Sequence, residues 1–145
     1  MSTFKNTSKY FNGGFYGALI LIVIMYVMKL TGLAGDPGFV SIFKTSFGAD
    51  DGFFTHLLAS LLFAISGGIW GIVFKIIPNP TIWKGTLFGL LPSLWLWVVV
   101  VPFMGGEFFN GFATKGILLP ILFNCVVWGS FLGWFVLKDT SSTED

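Results

Sequence analysis

Residues 54–77, FTHLLASLLFAISGGIWGIVFKII, form an apolar run whose one full charge, Lys75, comes near its end. A bilayer's hydrocarbon core asks for about 20 such residues in a helix, which alone satisfies its own backbone in lipid. Three more runs of this kind follow the same reading, at residues 13–31, 82–103 and 116–137. The fold class expected is therefore an all-α membrane protein, a four-transmembrane-helix bundle occupying residues 1–145 as one domain.

Small residues stand four apart in every run. The second has Ala64 with Gly68 and Gly67 with Gly71; the first has Gly13 with Gly17 and Gly14 with Ala18; the third has Gly85 with Gly89; the fourth has Cys125, Gly129 and Gly133. In lipid, helices gain little from burying apolar surface, so positions that let backbones approach are the packing signal. All these pairs fall in one half of the membrane, whereas Met25, Tyr26, Met28, Trp95, Trp97 and Phe123 crowd the other. Such a bundle should be closed at one end and splayed at the other, with a filled wedge or a cavity there.

Composition agrees. Of 145 residues, 54% are apolar and 10% charged, and the mean hydropathy is +0.84, against about 25% charged residues in soluble domains. A net charge of +1 leaves no basic face, which excludes nucleic acid as a partner. The lone Cys125 lies inside the fourth run and reads as a small packing residue. Lys5 and Lys9 ahead of the first run imitate a secretory signal, but the run is too long and no A-x-A site follows, so an uncleaved anchor is expected.

Four spans put both termini and the 78–80 connection on one side. That side carries Lys5, Lys9, Lys75, Lys84 and Lys138, the other Lys29, Lys44 and Lys115, so the positive-inside rule places both termini in the cytoplasm. Pro78-Asn79-Pro80 is short and stiff, which makes spans two and three antiparallel neighbours. In the first outer loop Asp36 offers a cap, Pro37 suits a first helical position, and Phe39, Phe43 and Phe47 recur every four residues up to Gly48. A short interfacial helix over about 37–47 is expected, its Phe stripe dipping into the interface or covering the bundle, with Ser41 and Lys44 turned away. The polar tail 139–145 reads as solubilising.

Each half starts with a small pair, passes a Gly-Phe loop (Gly38-Phe39 and Gly111-Phe112) and ends with a small pair before a lysine. The pattern suggests two repeated helical hairpins related by an axis along the membrane normal.

Ionisable groups inside the spans are nearly absent. His56, within a turn of the outer end of span two, reads as an interfacial residue, with a haem or pigment ligand or a proton-linked site as the sharper alternatives. Asn124 needs an interhelical partner. Pro92 beside Ser93 should kink span three by freeing the Phe88 carbonyl. Trp95 and Trp97, two apart, face different ways, so at most one points inward. Tyr26, His56, Glu107 and Asn124 together are the candidate polar site at the outer mouth; no catalytic or metal motif accompanies them.

Through Gly13-Gly14-Phe15-Tyr16-Gly17, Lys84-Gly85-Thr86-Leu87-Phe88-Gly89-Leu90 and Val101–Phe109 the chain resembles an uncharacterised family of small four-span bacterial integral membrane proteins. The resemblance implies a bacterial inner (plasma) membrane and no catalytic residue. The function expected is a non-catalytic accessory or structural subunit of a larger membrane complex, respiratory or photosynthetic, with membrane lipid and other membrane subunits as partners and no cofactor. A small transporter or channel with an outward-opening cavity, and a haem- or pigment-binding subunit using His56, are the alternatives.

Overall fold

The structure, a computed structural model, describes residues 2–141. The last part of the polar tail lies outside the described residues. The described chain is helical, with no strand. Helix α1 runs Ser2–Leu30, α2 Gly38–Phe47 and α3 Phe53–Phe74, followed by α4 over Ile82–Phe103 and α5 over Thr114–Lys138. Four of them, all but α2, are long and apolar enough to cross a membrane, the pattern of a multi-pass membrane protein. We call the end carrying the start of α1, the end of α5 and the 75–81 connection the terminal face, and the end carrying α2 and the 104–113 loop the loop face.

Helix α1 starts well before the apolar run at Gly13. Its polar first turns stay helical and lead to packed rings. Tyr10 is buried with its ring 6.1 Å from that of Phe74, and the Phe11 ring lies against Gly68. On the same face the Lys75 ammonium donates to the Thr7 hydroxyl at 2.9 Å. Thr81 caps α4 by accepting the Lys84 N–H at 3.1 Å, and the Lys84 ammonium closes the Pro78 and Asn79 carbonyls at 2.6 and 3.0 Å.

Helix α1 packs along α3, α4 along α5, and α1 also along α5. The two hairpin pairs use the same device. A Cβ on Gly14 would overlap the Gly67 carbonyl and the Gly71 Cα; a Cβ on Gly85 would overlap the Gly129 carbonyl and the Gly133 Cα. Gly89 likewise lies on the Asn124 backbone. Backbone-to-backbone contact of this closeness admits only glycine. Gly13 and Gly17 act differently, receiving the side chains of Leu132, Phe135, Trp128 and Phe131 from α5.

Spans two and three do not pair along their length. Helices α3 and α4 meet next to their short connection, where the Phe74 and Phe88 rings are 5.0 Å apart, and then diverge across the Trp70–Phe88 and Trp70–Trp95 contacts at 6.4 Å. The stiff Pro78-Asn79-Pro80 turn fixes only the near end; glycines tie each helix to a different partner beyond it.

Helix α4 is interrupted at Gly89, three residues before Pro92, and widens into a π-helical turn over Leu96–Val100. Helix α5 carries a π-helical stretch over Leu122–Gly129, beyond Pro120. Of the two tryptophans spaced two apart, Trp97 is 4% exposed and Trp95 51%, the opposed orientation that their spacing requires. The loop between α4 and α5 holds Phe109, Asn110, Gly111 and Phe112 at φ between 52° and 62°. For the three that are not glycine this left-handed backbone costs roughly 1–2 kcal/mol each.

Helix α2 forms as its phenylalanine stripe predicts and stops at Gly48, which takes φ 61°. It covers the bundle: Phe39 and Val40 are buried against Ala59, Phe63 and Met25. Asp36 does not cap it. No side chain bonds the α2 N-terminus, and the Asp36 carboxylate is drawn instead to the Lys29 ammonium, 2.6 Å away, because a full cation there outbids a backbone N–H. Lys44 reaches the exposed Asp51 at 3.3 Å.

Candidate functional site

The divergence of α3 from α4 leaves an apolar wedge that widens toward the loop face. Trp70, Trp95 and Trp128 line its deep end, Ala18 and Leu21 of α1 its back, and Phe39 and Phe43 of α2 its roof. This chamber holds about 300 Å³. A second chamber of about 330 Å³ adjoins it beneath α2 and is lined by Met25, Met28, Leu119 and Phe123, with Asp36, Asn110 and Lys115 at its rim. The chambers share Phe39, Ile42, Phe63, Leu96 and Asn124. Each is at the lower end of the about 300–1,000 Å³ range of small-molecule sites. The glycine crossings and the Phe74–Phe88–Trp128 rings fill the terminal half, so the space lies only where side chains are too large and helices too far apart to close it.

Polar side chains are few in these walls: Ser46 and Ser66 line the first chamber, and Asn124 lines both. The Asn124 amide donates to the Ser93 hydroxyl at 3.0 Å, and that hydroxyl lies 3.1 Å from the Gly89 carbonyl and 3.3 Å from the Pro120 carbonyl. The Ser93 hydroxyl thus meets carbonyls of both helices inside the bundle, while the Gly116 carbonyl that Pro120 leaves without its helical N–H accepts from Trp97 and Asn110. Asn124 is the one amide side chain that lines both chambers. Beside it, the Trp128 indole N–H donates to the Gly14 carbonyl at 2.9 Å, tying α5 to α1 at a buried site.

A second polar cluster latches the roof. The Tyr26 hydroxyl is 2.8 Å from His56 Nδ1, and His56 Nε2 is 3.0 Å from the Asp51 carboxylate. The carboxylate can only accept, so Nε2 carries a proton; in neutral His56 Nδ1 then accepts from Tyr26. Asp51 also accepts from Lys44 of α2. Bonds from His56 and then Lys44 hold the Asp51 carboxyl below the usual carboxylate range, and Lys29 does the same for Asp36. Both ring nitrogens of His56 are engaged, so ligation of a haem or pigment requires giving up one of them.

Of the four residues expected to converge, Tyr26 and His56 are joined in the latch. Asn124 lies in the wedge. Glu107 is exposed in the α4–α5 loop, its carboxylate turned onto Gly111, and lines neither chamber. The structure therefore distributes them over two sites and a loop. Among the described residues no three His, Cys, Asp or Glu side chains gather as a metal site requires. Sequence reasoning missed Trp70 and Trp128, Asp51, and Lys115 at the rim. Trp128 had a readable signal: it stands one helical turn beyond Asn124 and beside Gly129, on the face that packs.

The latch makes a prediction. A lowered carboxyl pKa stabilises the folded arrangement in full above the ordinary aspartate value of about 3.9, and that contribution is lost as pH falls through the lower folded value. Amide exchange of residues 38–47 should accelerate in Asp51→Asn at neutral pH, and in the wild type only below about pH 4. Unchanged exchange in Asp51→Asn means α2 is held by Phe39 and Val40 alone.

Compared with known proteins, the chain matches no family model, no curated protein and no solved structure.

Proposed function

We propose that the chain is a non-catalytic accessory protein of a bacterial inner membrane, both termini cytoplasmic, that holds the apolar chain of a membrane amphiphile in the α3–α4 wedge within a larger membrane complex. One observation carries this reading: two adjoining apolar chambers, roofed by a helix that a charged latch fixes in place, are walled by the helices long and apolar enough to cross a membrane. A closed terminal half supports holding over passage. Exposed large side chains along α3, α4 and α5, such as Leu61, Trp95 and Val126, suit contact with lipid and neighbouring subunits. The matched crossings at Gly14 with Gly67 and Gly71, and at Gly85 with Gly129 and Gly133, favour descent of the two hairpins from one duplicated hairpin.

The test is retention of lipid by the protein extracted in mild detergent, counted by native mass spectrometry. Wild type is expected to keep one amphiphile per chain. Ser66→Trp, which puts an indole into the wedge from an exposed position on α3, should lose it, and Leu62→Trp should do the same from one turn away. A wild type that retains none, or fillers that retain as much, overturns the reading.

A further inference from the structure

We infer that the amphiphile in the wedge is an anionic membrane lipid, its phosphate or carboxylate headgroup held at the rim by Lys115 and Asn110. This rests on the wedge reading and adds the chemistry of the headgroup. Three lysines stand on the loop face. Lys29 is taken by Asp36 at 2.6 Å and Lys44 by Asp51 at 3.3 Å. Lys115, exposed in the first turn of α5, lines the second chamber with no acidic partner among the described residues.

The other charge at the rim is Asp36, and Lys29 both neutralises it and keeps it ionised. The rim therefore carries one uncompensated positive charge. Glu107 is close in sequence, but its carboxylate is turned onto Gly111 and away from the chamber lining. Asn110 adds a donor. Its amide nitrogen gives one hydrogen to the Gly116 carbonyl at 3.1 Å, which leaves the second for a headgroup oxygen. That carbonyl also accepts the Trp97 indole N–H at 3.0 Å, so both its lone pairs are engaged and it does not compete for an incoming cation. A zwitterionic headgroup brings its own ammonium toward Lys115 and gains less. An anion with its chain in the apolar chambers satisfies charge, donor and walls together.

The experiment places wild type, Lys115→Gln, Lys115→Arg and Ser66→Trp in nanodiscs of equal parts phosphatidylglycerol and phosphatidylcholine with matched chains. Lipid kept on release is then counted by native mass spectrometry. One surface lysine against an anionic headgroup corresponds to about fivefold enrichment. Wild type and Lys115→Arg should show that enrichment for phosphatidylglycerol. Lys115→Gln should fall to near parity with the total bound unchanged, and Ser66→Trp should lose both lipids. Parity in wild type, or enrichment persisting in Lys115→Gln, overturns the headgroup assignment and leaves the wedge occupied. Full retention of both lipids by Ser66→Trp overturns the wedge reading itself.

Discussion

Leucine in place of Gly85 is expected to destabilise the bundle by roughly 3 kcal/mol, the upper end of the cost of overpacking. The first added carbon already overlaps the Gly129 carbonyl and approaches the Gly133 backbone. Neither can move alone, because each is part of the α5 backbone. The helices must separate, and the hydroxyl contact between Thr86 and Ser130 at 2.7 Å is lost with them. Gly71→Leu should cost a similar amount, since its Cβ meets the Tyr10 carbonyl and Gly14 in the same way. Gly35→Ala is the control, with open space where its Cβ would stand. Unfolding of detergent-solubilised protein by SDS titration measures all three, and a Gly85→Leu curve superimposable on wild type refutes the backbone contact.

Trp128→Ala should cost about 3–5 kcal/mol by the same measurement, as large-to-small core changes of this size do. Trp128 is 3% exposed, packs its ring 6.2 Å from Phe88, receives Gly17 on its flank and fills the deep end of the wedge. Trp128→Phe separates the terms. It keeps most of the ring but removes the N–H donated to Gly14, and should cost about 0.5–2 kcal/mol, the worth of an interhelical hydrogen bond in a membrane. Equal losses in both variants would show that the hydrogen bond, and not the volume, holds α1 to α5.

The spans were legible because a bilayer imposes length and apolarity on each helix separately, and both are local properties of sequence. Residues 82–103 coincide with α4 as read, and the other three runs differ from their helices at the ends. The largest difference, the start of α1, arises where polar residues continue a helix beyond the apolar stretch, guided by Tyr10 and Phe11 finding partners on α3. The phenylalanine stripe of α2 was legible for the same reason, a period held by a single element. Pairing was not. That Gly14 would meet Gly67 and Gly71 while Gly13 and Gly17 receive side chains from α5 depends on the rotation of α1, which small residues at 13, 14, 17 and 18 leave open. Asn124 asked for a partner and Ser93 stood beside a kink, but only packing of α4 on α5 joins them. The latch was half legible: His56 invited attention, while Asp51 lies in a loop whose path no periodicity fixes. The wedge follows from which helices decline to touch, information spread over the whole chain.

Three residues past the crossing glycine of α1 stands Gly17; three past that of α4 stands Phe88. In the first case the gap admits Trp128 and the α1–α5 seam closes at that level. In the second a buried ring stacks among Trp70, Phe74 and Trp128 and props the α3–α4 seam apart. A bundle of two like hairpins would offer two equivalent slots, facing opposite directions across the membrane plane. Here Trp128 fills one at that level while Phe88 holds the other ajar, so the two seams of the chain are not alike; on the proposed reading, a guest's chain enters from the α3–α4 side.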